Sequence, residues 1–193
     1  MCEKECPAKK AYEDFLRIVP KVQVGEEAPE IKAQCLCPCG AIKDFDMSEY
    51  KGKFIVLLFY PLDWTFVCPT EMMGYSKLAE EMKDVQFEHG GVGKLSFPLV
   101  SDIKKCISMR YNMYNAADGI ARLGYVIVDT KGIVRYMQVN DNGIGRNTDE
   151  TKRIIEAIKF SDEHGDVCPL NWKPGKDTMK PTPEGVAAYL TKH

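Results

Sequence analysis

The apolar positions of this 193-residue chain fall into separated segments whose spacing switches between strand-like and helical. Through Pro20 the chain is mostly charged, with Tyr12, Phe15, Leu16 and Val19 spaced for one or two helical turns. Between Val22 and Asp46, short apolar pieces are interrupted by Pro29, Pro38 and Gly40, the pattern of a hairpin or of small strands. Lys51-Gly52-Lys53 then turns the chain into Phe54-Ile55-Val56-Leu57-Leu58-Phe59-Tyr60. That run has no polar alternation, so both of its faces must be covered, which predicts an interior strand with helices on each side of its sheet. Its shortness and its β-branched and aromatic content disfavour a buried helix.

From Glu71 to Met82 the period becomes helical, with Met72, Tyr75, Leu78, Ala79 and Met82 on the apolar stripe, and Pro69 suits the first turn. Gly124–Asp129 reads as a second buried strand, Thr130-Lys131-Gly132 as a turn, and Ile133–Asn140 as a third strand. Asn147 with Glu150 resembles a capping box opening a helix with Thr151, Ile154, Ile155 and Ile158 on one face. Beyond Val167 four prolines predict irregular chain, with Thr182-Pro183-Glu184 opening one last short helix. Strands alternating with helices predict an α/β layered sheet, whose chemistry gathers at strand-to-helix loops.

Charge changes the picture by exclusion. The 26 basic and 28 acidic residues are interleaved, leaving a formal net charge of -2, so nucleic acid is not the expected partner. No apolar stretch approaches the roughly 20 residues of a membrane span, and the start Met1-Cys2-Glu3-Lys4-Glu5-Cys6 is charged where a secretory signal is apolar. The expectation is a cytoplasmic protein without membrane contact. Eight cysteines would suit a secreted disulfide scaffold, but 45% hydrophobic content points to an ordinary core and to thiols that are catalytic, metal-binding or inert.

Among them Cys68 stands out. It follows the buried strand and sits at the predicted first turn of a helix, where unpaired backbone N–H groups and the helix dipole favour a thiolate. Thr65 lies three residues earlier, with a hydroxyl able to reach the sulfur, and Pro61 can wall the pocket. A lone cysteine is more often a buried hydrophobe, Thr65 a loop hydroxyl and Pro61 a strand terminator. The order Phe59-Tyr60-Pro61-Leu62-Asp63-Trp64-Thr65-Phe66-Val67-Cys68-Pro69-Thr70-Glu71 reverses that judgement, because it resembles the peroxidatic segment of the peroxiredoxins nearly residue for residue. A second segment, His164-Gly165-Asp166-Val167-Cys168-Pro169-Leu170-Asn171-Trp172-Lys173-Pro174-Gly175, resembles the resolving-cysteine region of the typical two-cysteine subgroup. Val139-Asn140-Asp141 and Gly145-Arg146 also fit the family pattern.

The resemblance implies a thioredoxin-like three-layer sandwich with a mixed central sheet. It divides the chain into a tail (1–20), a peroxidase domain (21–160) and a C-terminal arm (161–193). It implies that Cys68 reduces hydroperoxides and becomes a sulfenic acid, that Cys168 of a partner subunit condenses with it, and that a thioredoxin-like dithiol restores both. Thr65 and Pro61 would shape the pocket and Glu71 support its hydrogen bonds. No metal or organic cofactor is implied, and a homodimer or ring of dimers is. A peroxide sensor or redox-sensitive chaperone of low activity is the alternative.

Two features depart from the family. Only Lys83-Asp84-Val85-Gln86-Phe87-Glu88-His89 separates Met82 from Gly90-Gly91-Val92-Gly93, roughly 20 residues short of the relatives, which predicts loss of one strand–helix unit with at most a strand stub at Val85 and Phe87. The family arginine near the sulfur falls in register at Leu123, with Arg122 one residue early and facing away unless a bulge re-aims it. Of the other thiols, Cys35, Cys37 and Cys39 read as a surface turn rather than a zinc site, because their spacing is too tight and no histidine is near. Cys2 and Cys6 lie on the charged tail, and Cys106 reads as a core or helix-face thiol. His164 either lowers the Cys168 pKa or is simply solvated. The glycine segment and Tyr189-Leu190 resemble the elements linked to overoxidation, with Leu190 where an aromatic is usual.

Overall fold

The computed structural model describes residues 19–62, 65–82, 85–88 and 95–193. The readings for Cys2, Cys6, Tyr12, Phe15, Leu16 and the Gly90–Gly93 segment lie outside the described residues. The chain divides after Arg146 into two compact units.

In the first unit, β1 (Lys32–Leu36) and β2 (Ile42–Asp46) form an antiparallel hairpin. Its turn is dictated by Pro38-Cys39-Gly40. The Gly40 N–H donates to the Cys37 carbonyl at 2.8 Å, the Cys37 N–H donates to the Ala41 carbonyl at 2.9 Å, and Gly40 adopts φ +83°. This is a three-residue loop with proline at the second turn position and a left-handed glycine closing it. A 3-10 turn (Met47–Tyr50) capped by Asp46 leads to β3 (Phe54–Phe59), buried at every residue as its unbroken apolar run predicts.

Helix α1 (Val67–Glu81) begins four residues before the first residue expected from periodicity, because Pro69 falls within its first turn, where a missing N–H costs nothing. Its buried residues Cys68, Glu71, Met72, Tyr75 and Leu78 make a single stripe. The expected strand stub is present as β4 (Val85–Glu88), pairing parallel to β3 from Phe54↔Val85 to Leu57↔Glu88. After β5 (Leu99–Val100), which adds to β1, come α2 (Cys106–Arg110), β6 (Tyr114–Asn115) and β7 (Ile120–Ala121). These short pieces carry too few residues for a period to be read. Cys106 opens α2 and is exposed.

The buried strand β8 (Leu123–Val128) and the half-buried edge strand β9 (Val134–Asn140) complete a mixed four-stranded sheet of order β4-β3-β8-β9. Alternation gives the sheet two apolar faces. Ile55, Leu57, Phe59, Val126 and Val128 join Ile31, Cys35, Phe45, Tyr111 and Met113 in one core. Val56, Leu58, Leu123, Tyr125 and Ile127 face the other way, where the Tyr125 ring lies 6.5 Å from that of Tyr75 on α1. Gly124 must be glycine, since a Cβ there would lie 2.6 Å from both the Gln138 carbonyl oxygen and the Met113 sulfur.

The second unit is helical. Asn147 caps α3 (Thr148–His164) by accepting from the Asp149 and Glu150 N–H groups at 2.8 and 3.3 Å. The expected capping box is only half formed, because the Glu150 carboxylate is taken by Arg153 at 2.6 and 2.7 Å. Gly165, at φ +68°, ends the helix. The following arm is held by an antiparallel bridge between Val167 and Met179 and by buried Trp172, whose ring lies 5.2 Å from Phe160 and whose indole N–H reaches the Lys176 carbonyl at 3.2 Å. Thr182 and Pro183 open α4 (Pro183–Lys192), ten residues long where only a short helix is expected. Among the described residues, no helix is long and apolar enough to cross a membrane.

Candidate active site

Cys68 is the second residue of α1 and 5% exposed. Because the apolar stripe of α1 begins at Cys68 itself, burying the helix also buries the sulfur at its N-terminal end. Phe66, the residue before the helix, supplies no side-chain cap, so the N–H groups of the first turn are not committed to it. The Thr70 hydroxyl donates to the Val67 carbonyl at 2.7 Å within the first turn, and the Thr65 hydroxyl donates to the Leu62 carbonyl at 3.3 Å. Pro61 lies two residues beyond β3 and lines a cleft of about 340 Å³ with Phe59, Tyr60, Leu62, Ile103 and Lys105. Cys68 does not line that cleft.

Glu71 lies one turn beyond Cys68 on the same stripe and is buried. Its carboxylate is gripped by Arg146: Oε1 accepts from the Arg146 backbone N–H at 2.7 Å and from Nε at 3.0 Å, and Oε2 accepts from a terminal guanidinium nitrogen at 2.8 Å. The other terminal nitrogen donates to the carbonyls of Phe59 at 2.9 Å and Gly124 at 2.5 Å, two residues paired across β3 and β8. The guanidinium also stands 5.6 Å above the Tyr75 ring. Both charged side chains are buried, at 0% and 3% exposure. Such a pair is tolerable only because nearly every donor and acceptor is satisfied. Asn140 supports the arrangement by donating to the carbonyls of Ile144 and Gly145 in the loop that delivers Arg146. Arg146 thus fixes the first turn of α1 to the ends of two central strands.

That role is not readable from the sequence. Gly145-Arg146 fits the family pattern, but Arg146 and Glu71 are 75 residues apart and their pairing has no local signal. Arg122 occupies the break between β7 and β8 and is exposed, with its N–H donating to the Met113 carbonyl at 2.6 Å. Leu123 is fully buried and shares a face with Tyr125, the side on which α1 lies. The register of β8 is regular from Leu123 to Ile127, so no bulge there turns Arg122 toward that side.

In the second unit Cys168 is half-buried, and its thiol donates to the Ala157 carbonyl at 3.7 Å. Burial pushes the thiol above its ordinary pKa and Asp166 adds to the rise, with Arg153 opposing. His164 is not what sets it: that ring stacks on Phe160 at 4.1 Å and its Nδ1 contacts the Phe160 carbonyl at 3.0 Å. Among the described residues no group of three or more His, Cys, Asp or Glu side chains is arranged to hold a metal ion.

Comparison with known proteins decides the family. Residues 24–94 match the AhpC/TSA family and residues 157–192 the C-terminal domain of 1-Cys peroxiredoxin. An Entamoeba histolytica protein described as a peroxiredoxin is 59% identical over 208 residues, covering 97% of this chain and 89% of its own. This chain belongs to the peroxiredoxin family. Peroxiredoxin-1 of Gallus gallus is 41% identical over 193 residues, covering 89% of this chain and 97% of its own. The reduced 2-Cys peroxiredoxin of Plasmodium vivax superposes with a TM-score of 0.83 at 36% identity, covering 88% of this chain and 99% of that one. The mixed α/β architecture of this peroxiredoxin is therefore the family's thioredoxin fold, and thiol-dependent peroxide reduction is its chemistry, favoured over the chaperone or sensor alternative. The Entamoeba alignment spans 208 positions but uses 97% of a 193-residue chain, leaving roughly twenty positions without a residue here. That number matches the shortfall read between Met82 and Gly90, a size well beyond a loop of about 4 to 6 residues.

Proposed function

We propose that this peroxiredoxin reduces hydrogen peroxide and organic hydroperoxides through a Cys68–Cys168 cycle shared between two copies of the chain. The Cys68 thiolate attacks the distal oxygen of the hydroperoxide, the O–O bond breaks, and alkoxide or hydroxide leaves to take up a proton. Cys68 becomes a sulfenic acid. The Cys168 thiol of a second copy, delivered on the arm from position 161 onward, condenses with it, forming the disulfide and releasing water. A thioredoxin-like dithiol returns both cysteines to thiols by exchange. Pro61 and Thr65 shape the approach to the sulfur, Glu71 positions its helical turn, and Arg122 does not stand in for a charge at Leu123. We place the enzyme in the cytoplasm as a homodimer or a ring of dimers.

The observation that carries this reading is Cys68 on the buried stripe at the start of α1, with Glu71 one turn on and clamped by Arg146 to the ends of β3 and β8. The test is a non-reducing denaturing gel after one equivalent of peroxide. Wild type is expected to run as a covalent dimer that dithiothreitol abolishes, and Cys168→Ser as a monomer. A Cys168→Ser protein that still forms the dimer would end the pairing.

A further inference from the structure

Three cysteines outside the Cys68 site converge on one hairpin. Cys35 lies on β1, buried at 4% exposure within the core, and Cys37 directly follows the strand, so their side chains share one face. Their sulfurs are 3.7 Å apart, in van der Waals contact. Cys39 stands exposed at the tip of the turn. Cys37 and Cys39 both line a cleft of about 420 Å³ with Leu95, Phe97 and Leu99. The three sulfurs are thus graded from buried through half-buried to exposed.

We propose that Cys35, Cys37 and Cys39 form a second redox site, in which a hydroperoxide oxidises Cys39 and the oxidation passes inward through Cys37 to rest as a Cys35–Cys37 disulfide. The Cys39 thiolate displaces alkoxide from the O–O bond and becomes a sulfenic acid, the alkoxide taking up a proton. The Cys37 thiol condenses with it, forming a Cys37–Cys39 disulfide and releasing water. Cys35, in contact with the Cys37 sulfur, then attacks that sulfur and expels Cys39 as a thiolate. Two thiols and one hydroperoxide thereby become one disulfide, one alcohol and one water.

The direction of transfer follows from the surroundings of the three sulfurs. The Ala41 backbone N–H, with Lys43 and the Cys37 thiol, holds the Cys39 thiol below its ordinary pKa against the burial penalty. It is therefore the better first nucleophile and the better leaving group. Cα atoms two residues apart on an extended chain are about 6.6 Å apart, close to the limit of about 6.8 Å that a disulfide spans. A Cys35–Cys37 bridge there is strained and readily reduced, as a reversible site requires.

The test uses the full chain carrying Cys68→Ser and Cys168→Ser, so that its outcome does not depend on the peroxidatic cycle. The reduced protein is treated with hydrogen peroxide, alkylated, cleaved after lysine and read by mass spectrometry. The peptide from Ala33 to Lys43 is expected to lose two hydrogens and to carry one alkyl group, on Cys39. Adding Cys39→Ser should slow that loss at least about tenfold, since the entry thiol is gone. Three alkyl groups on the peptide after peroxide would overturn the proposal. So would an unchanged rate in the Cys39→Ser protein, or oxidation of the exposed Cys106 as fast as the hairpin.

Discussion

Replacing Arg146 with methionine tests how the position of Cys68 is fixed. The substitution keeps much of the side chain's length but removes every donor that holds Glu71, Phe59 and Gly124 together, apart from the backbone N–H. It leaves a buried carboxylate with no countercharge, a change that costs about 3–5 kcal/mol. At about 2–4 °C per kcal/mol for a chain of this size, the thermal midpoint should fall by roughly 10 °C. The first turn of α1 is also released from the ends of β3 and β8, and a misplacement of about 1 Å at a reacting group costs about 100-fold in rate. Differential scanning fluorimetry and stopped-flow oxidation by hydrogen peroxide read the two effects separately. The double substitution Glu71→Leu with Arg146→Met should regain most of the stability, because an apolar pair replaces the buried charges, yet regain little of the rate. As a surface control, Lys32→Met breaks an exposed pair with Asp46 and should leave both readings unchanged. An Arg146→Met protein that melts within about 2 °C of wild type, or one that reacts with peroxide at the full rate, would refute the reasoning.

Three further expectations follow from particular groups. Leu123→Arg introduces a cation on the face of β8 that α1 covers, so it should raise the rate of Cys68 oxidation while lowering the melting temperature. Arg122→Gln should leave that rate within about twofold, and stopped-flow traces of both variants decide. Burial and the nearby Asp166 hold the Cys168 thiol above its ordinary value near 9.0, so disulfide formation in a single turnover should keep speeding up as pH rises past 9. A plateau near pH 7 would contradict this. Asp129 is held below its ordinary value of 3.8 because the N–H groups of Ile133 and Lys131, together with Arg135, outweigh the burial that pushes it up. Its contribution is therefore complete above pH about 4 and is lost as pH falls through the lower folded value. Asp129→Asn should cost about 2 kcal/mol at pH 7, with the difference from wild type shrinking in acid denaturation curves below pH 4.

The sheet was legible where burial is continuous. Phe54–Phe59 and the segment ending at Val128 are apolar on both faces over six residues each, long enough for the pattern to be read. Pro38-Cys39-Gly40 and Thr130-Lys131-Gly132 announced turns because a left-handed glycine closes each. The apolar period of α1 is readable only from Glu71, and it was Pro69 that marked Cys68 and itself as the first turn, where the helix does begin. Elements as short as Cys106–Arg110 and Ile120–Ala121 carry too few residues for a period: the first is set by Asp102, which accepts from the Ile107 and Ser108 N–H groups, and the second by pairing with Tyr114–Asn115. At the site, the segment from Pro61 to Glu71 was readable from its resemblance to a family, as was the segment around Cys168. The clamp on Glu71 was not, because it comes from a loop 75 residues away.

The central claim is that Cys68 is the sulfur that attacks peroxide, and the fate of individual thiols tests it most directly. Reduced wild-type protein mixed with substoichiometric hydrogen peroxide, quenched with an alkylating agent and mapped by mass spectrometry, should lose Cys68 before Cys106. Cys68 is the buried thiol of the two and Cys106 the exposed one, so accessibility alone predicts the reverse order. In the same protein, turnover of peroxide with a thioredoxin-type donor should vanish in Cys68→Ser. Loss of Cys106 first, or continued turnover in Cys68→Ser, would contradict the account.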